Sequence, residues 1–75
     1  MNWREHLSSE PNICHGRMCI KGTRVMVSVV LDNLAAGMAE DEVVRLYPSV
    51  SVNDVHAAVS YAAELARERL VTLAA

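Results

Sequence analysis

The chain has 75 residues and a formal net charge of -2, and 52% of its residues are hydrophobic although only 4% are aromatic. This length allows one domain, and the acidic balance excludes a general attraction to nucleic acids, so any contact with DNA must be local. No apolar run is long enough to span a membrane or to form the core of a signal peptide, which predicts a cytoplasmic protein.

Residues 1–27 are predicted to form an extended N-terminal arm that carries most of the basic side chains. Between residues 13 and 27, β-branched residues alternate with glycines, a pattern typical of short strands. We expect a small hairpin whose tight turn lies at His15, Gly16 and Arg17. Cys14 and Cys19 would then face each other across this turn.

Helical periodicity begins at Ser28, and residues 28–75 are predicted to form a three-helix body. The first helix is expected at residues 28–36, with Ser28 as its N-cap and Gly37 just beyond its end. The second is expected at residues 39–46, where acidic residues in the first turn suit the helix dipole.

Ser51 and Asp54 fit the capping-box pattern and predict a third helix over residues 51–70. Its predicted buried stripe comprises Val52, Val55, Val59, Ala62, Ala66 and Leu70. A second apolar set beside this stripe comprises Ala58, Tyr61 and Leu65. Two apolar faces are more than one small monomer needs, so we predict a homodimer with the second set at the interface.

The arrangement of the second helix, a turn at residues 47–50 and the third helix is typical of a helix-turn-helix in a homeodomain-like, mainly α, trihelical domain. The exposed start of the third helix offers Asn53 and His56 as candidate base-reading residues, a poor set for that purpose. Phosphate contacts are therefore expected from the arm. The candidate residues there are Arg17, Lys21 and Arg24.

Metal binding and catalysis are both disfavoured by the sequence. Cys14, His15 and Cys19, with His6, include zinc-type ligands, but the second ligand pair of a structural zinc site is missing. Neither a Ser-His-Asp order nor a Gly-rich phosphate loop is present, and so short a chain has little room for a catalytic pocket. We therefore expect no metal, no cofactor and no enzymatic activity.

The run EPNICHGRMCIKGTRV, residues 10–25, resembles the signature P-x-I-C-x-G-(R/K)-x-x-I-x-G-T-R of the domain-of-unknown-function family 433. The resemblance covers residues 8–64, and its most specific part is Gly22, Thr23 and Arg24. It implies a homeodomain-like helix-turn-helix fold. Members of this family are commonly encoded beside a PIN-like ribonuclease toxin, so the resemblance also implies an antitoxin.

Two residues depart from the family pattern. His15 replaces the glycine that usually precedes Gly16, and Ala39 replaces the serine that often caps the second helix, which weakens the cap by about 1 kcal/mol. For Arg24 the sequence leaves two roles open, a structural clamp on a carboxylate or a contact with a phosphate ligand.

Two functions of different classes follow from these patterns. The leading one is an antitoxin that occludes the ribonuclease by protein contact and, as a dimer, represses its own operon by binding operator DNA. The alternative is an interaction or scaffold domain that dimerises without a nuclease partner or a DNA site.

Overall fold

The computed structural model of the protein describes residues 2–12 and 16–68. A short 3-10 turn at Trp3–Glu5 leads into strand β1 (Leu7–Ser8), and strand β2 follows at Cys19–Ile20. The helices are α1 (Val27–Ala35), α2 (Glu40–Leu46) and α3 (Val52–Glu68). The predicted mainly α class, with a short N-terminal hairpin and three helices, is confirmed, and the helix starts differ from the predicted ones by one residue.

The partner of strand β2 differs from the prediction. Leu7 pairs with Ile20 and Ser8 with Cys19 in antiparallel register, so the hairpin connection spans residues 9–18 instead of a tight turn at residues 15–17. The other edge of β2 is bridged to Met26. Both edges of β2 are therefore occupied, and Cys14, which was predicted to face Cys19, lies outside the described residues.

Helix α1 begins without the side-chain cap predicted at Ser28. Its N-cap is Met26, which makes no side-chain hydrogen bond, and Ser28 lies inside the first turn. The amide of Val27 instead donates to the carbonyl of Met18, at 3.1 Å. A neighbouring segment of backbone therefore satisfies a helix-end donor that a capping side chain would otherwise satisfy.

The C-terminal end of α1 has the glycine that the sequence predicts just beyond it. Gly37 has φ of 100°, a left-handed conformation that favours glycine. Its amide donates to the Leu34 carbonyl at 3.0 Å, and the amide of Met38 donates to the Asn33 carbonyl at 3.1 Å. These two bonds form a Schellman motif, which satisfies two of the carbonyls that a helix end leaves unpaired.

The hydrophobic core lies where the three helices meet the two strands. Its buried members are Leu7, Ile20, Val27, Val30, Val43, Val50, Val55, Ala57 and Ala58. Val50 belongs to the turn between α2 and α3 and is 1% exposed, so it anchors that turn.

The predicted buried stripe of α3 is partly wrong. Val55 is buried as expected, but Val52 and Val59 are 42% and 45% exposed, and Ala66 is also exposed. The inward face instead contains Ala57 and Ala58, whose small side chains let α3 lie close to the rest of the core. Leu70, the last residue of the predicted stripe, lies outside the described residues.

Candidate binding surfaces around the third helix

The segment between α2 and α3 is held by local hydrogen bonds at both ends. The amide of Val50 donates to the Tyr47 carbonyl at 2.9 Å. The Asp54 carboxylate accepts from the Ser51 amide at 2.9 Å, and the Ser51 hydroxyl accepts from the Asp54 amide at 3.1 Å. The predicted capping box is therefore confirmed, and it fixes the direction in which α3 leaves the turn.

Asp54 also ties the N-terminal segment to α3. Its carboxylate lies 2.9 Å from Nδ1 of His6, and both side chains are more than two-thirds buried. Burial alone would raise the pKa of Asp54, but the hydrogen bonds from Ser51 and His6 outweigh burial and hold that pKa below its ordinary value. The carboxylate is therefore ionised at neutral pH and serves two segments at once.

A second contact holds the 3-10 turn against the middle of α3. The indole N–H of Trp3 donates to the Glu64 carboxylate, and the Trp3 and Tyr61 rings meet edge to face with centroids 4.8 Å apart. Arg4 lies over the Trp3 ring at 4.3 Å and pairs with Glu64 at 3.6 Å. The hydrogen bond from Trp3 and the charge of Arg4 lower the pKa of Glu64 against the opposing effect of burial. The sequence did not predict this cluster, because the contacting residues of the turn and of α3 are 58 or more positions apart.

The two candidate base-reading residues are both exposed at the start of α3. His56 is, however, engaged: its Nε2 lies 2.6 Å from a carboxylate oxygen of Glu40, at the first turn of α2. An acidic side chain at this distance repels phosphates and competes with base edges for the imidazole. Asn53 is therefore the better placed of the two for a contact with DNA.

The three cations of the arm that were predicted to contact phosphates lie in different surroundings. Arg24 shares a groove with Ser8, Glu10 and the turn residue Ser49. Arg17 lines a separate depression with Tyr61, while the Lys21 ammonium donates to the Arg4 carbonyl at 3.4 Å. Of these three cations, the structure places Arg24 beside the turn that precedes α3.

Gly22 and Thr23 build the bend that presents Arg24. Gly22 has φ of 80°, and the Thr23 hydroxyl donates to the Ile20 carbonyl at 2.8 Å while accepting from the Val25 amide at 3.0 Å. The first two residues of the Gly-Thr-Arg motif are therefore structural, and they leave the exposed Arg24 side chain at the groove.

The residues predicted for the dimer interface are not equally accessible. Ala58 is fully buried in the core, and Tyr61 is half-buried beside Trp3. Leu65 is 42% exposed. The set therefore does not form one exposed apolar face.

The most exposed large hydrophobic side chain that the structure describes is Leu46, at 58%. It lies at the end of α2 in a shallow groove with Met38, Glu42 and Arg45. The groove therefore has aliphatic walls and carries both signs of charge.

The described part of the chain contains no group of three or more His, Cys, Asp or Glu side chains placed to hold a metal ion. Cys14 and His15, two of the potential zinc ligands in the sequence, lie outside that part. Among residues 2–12 and 16–68, no helix has the length and apolar character needed to cross a bilayer.

Comparison with known proteins identifies one family. The model of the family described as "Protein of unknown function (DUF433)" matches residues 7–62. A crystal structure of a DUF433 member from Anabaena variabilis ATCC 29413 is similar, with a TM-score of 0.75 and 24% sequence identity, over 84% of this chain. The chain spans 62% of that protein's length. A search of curated proteins gave no match.

Proposed function

Since the chain belongs to the DUF433 family, we propose that it is a non-enzymatic binding protein, an antitoxin that neutralises a PIN-like ribonuclease by direct protein contact. The family resemblance supplies the class of partner.

The observation that carries the proposal is the groove at the end of α2. Leu46 leaves more than half of its surface in water, beside the aliphatic side chain of Met38. Glu42 and Arg45 add one charge of each sign to the same groove. An apolar centre with polar surroundings is typical of a surface that binds protein. We therefore assign the toxin contact to this groove.

The experiment begins with the genes that adjoin this one, because the proposal expects one of them to encode a PIN-like nuclease. The purified nuclease is assayed on RNA with increasing amounts of the chain, and we expect its activity to disappear near a fixed molar ratio. Leu46→Lys should raise the amount required by at least about tenfold, because a buried aliphatic contact is replaced by a charge.

Leu65→Lys is the matched control, since Leu65 is an exposed leucine on another helix. If both variants inhibit the nuclease as well as the wild type does, the toxin contact does not lie at the groove on α2. A nuclease that is unaffected by the wild-type chain, at any ratio, would favour the alternative of a scaffold domain.

A second function, repression of the operon, rests on the position of Arg24. Its groove includes Ser49, in the turn that precedes α3, and α3 is the helix that would enter the major groove in a helix-turn-helix. Because Glu40 holds His56, we propose that backbone contact through Arg24 contributes more to DNA affinity than base reading by α3.

A further inference from the structure

The outward face of α3 carries a regular stripe of side chains that the core does not use. Its members are Val52, His56, Val59, Ala63 and Ala66, all of them exposed. They follow one another at steps of four, three, four and three residues. This seven-residue repeat is the spacing at which one helix pairs with another in a left-handed coiled coil.

The chemistry of the stripe fits a helix as its partner. Val52 and Val59 are the aliphatic members, and the alanines at 63 and 66 allow close approach of a second backbone. His56 is the one polar member, and Glu40 engages its Nε2. A single polar position in an apolar seam favours one register over others.

The charges beside the stripe select an orientation. Glu40 reaches the N-terminal half of the stripe through His56, and it belongs to an acidic first turn of α2 with Asp41 and Glu42. At the other end of α3, Arg67 is exposed in the last turn. If a second copy of α3 runs antiparallel, its Arg67 approaches Glu40 of the first copy, and symmetry repeats the contact. In a parallel pair, the acidic first turn of α2 in one copy would instead lie beside the same acidic turn of the other copy.

We infer that this stripe is a self-association surface and that its occupant is α3 of a second copy of the chain, running antiparallel. A small core buries a limited fraction of the surface, so a second copy on the exposed face of α3 would also stabilise the fold. The inference is independent of the toxin contact, because the groove at Leu46 lies on α2. It also implies that His56 is covered in the dimer and does not read DNA bases.

The test is sedimentation equilibrium on the full chain, from micromolar to near-millimolar concentration. We expect the wild type to pass from monomer to dimer and Val59→Lys to raise the dissociation constant by at least about tenfold. Leu65→Lys is the matched control on the same helix. It places the same charge off the stripe and should leave the dissociation constant unchanged.

A further variant, Arg67→Glu, tests whether the two helices run antiparallel. It should weaken an antiparallel dimer, because Glu40 of the other copy would repel the new carboxylate. Circular dichroism verifies that each variant is folded, and Ala63→Lys replaces Val59→Lys if the latter unfolds. The inference is overturned by a wild type that stays monomeric, by a dimer that tolerates a lysine in the stripe, or by a dimer that Leu65→Lys disrupts. An undiminished dimer in Arg67→Glu overturns the antiparallel orientation.

Discussion

The carboxylate of Asp54 has two structural roles: it caps α3 through Ser51, and it holds the N-terminal segment against α3 through His6. Its side chain is mostly buried, yet its pKa is lower than the ordinary value because the donors around it stabilise the charge. Stability therefore depends on keeping this carboxylate ionised.

We expect Asp54→Ala to lower the free energy of unfolding by about 1–2 kcal/mol at neutral pH, the usual effect of losing a helix cap and a partly buried hydrogen bond. Because the folded-state pKa is depressed, the stability from ionisation is complete above the unfolded pKa of about 3.9. It is lost as pH falls from there through the folded pKa. Urea unfolding of wild type and variant across this range should show the two curves converging in acid. Asp41→Ala, at a carboxylate 75% exposed, is the control and should change little. A wild-type advantage that is the same at neutral and acid pH would contradict the assignment.

At the scale of elements, the beginnings of the helices differ in how their amides are satisfied. Ser51 and Asp54 cap α3 reciprocally, whereas α2 has half of that arrangement. Glu42 accepts from the Ala39 amide at 3.3 Å, but a methyl group at Ala39 cannot accept a hydrogen bond in return. The departure from the family pattern at Ala39 therefore leaves α2 with an incomplete cap.

Ala39→Ser should complete this cap and raise the free energy of unfolding by about 1 kcal/mol. Thermal and urea unfolding both measure the change. Ala35→Ser, at the exposed last residue of α1, is the control and should be neutral or slightly destabilising, because serine is a weaker helix former than alanine. Equal effects of the two substitutions would show that the gain does not come from capping.

The docking of the 3-10 turn on α3 can be followed with Trp3, the single tryptophan of the chain. Glu64→Ala removes the acceptor of the indole N–H and the partner of Arg4. We expect the tryptophan emission to shift to longer wavelength and the ring to become more accessible to a soluble quencher. Glu5→Ala, at an exposed acid within the same turn, should leave both properties unchanged. If Glu64→Ala has no effect on the emission, the ring contact with Tyr61 is sufficient to hold the turn.

For the molecule as a whole, the distribution of charge decides how it meets DNA. The net charge is negative, and the acidic first turn of α2 lies beside the start of α3 through the bond between Glu40 and His56. Arg24 is the arm cation that the structure places beside the turn before α3. DNA affinity is therefore expected to depend on a few backbone contacts and to fall steeply with salt.

Arg24→Ala should weaken binding to promoter and random DNA alike and reduce the salt dependence by about one unit, the effect of losing one phosphate contact. Arg17→Ala is the matched control, because Arg17 lines a different depression.

His56→Ala should leave sequence preference unchanged if α3 pairs with a second copy, whereas Asn53→Ala should relax that preference if α3 reads bases. Gel-shift titrations at several salt concentrations measure all three. Equal binding of promoter and random DNA by the wild type would exclude a specific repressor.

The sequence by itself determined the features that depend on neighbours along the chain. The capping box at Ser51 and Asp54, the helix end at Gly37 and the three helices are set by side chains within a few residues of each bond, so periodicity and cap chemistry were sufficient. The Gly-Thr-Arg motif likewise indicated the family, because it is a run of adjacent residues.

Contacts between distant segments were decided only by the tertiary structure. Leu7 pairs with Ile20, and both side chains are buried in the core. Residues 10–25, which carry the family signature, did not by themselves predict that pairing. The sequence also did not predict which face of α3 is buried, because both of its faces are apolar enough to be buried. Ala57 and Ala58 face inward because the other helices and the 3-10 turn occupy that side. Val52 and Val59 remain in water for the same reason, since periodicity locates an apolar face but the surrounding elements determine which face is covered.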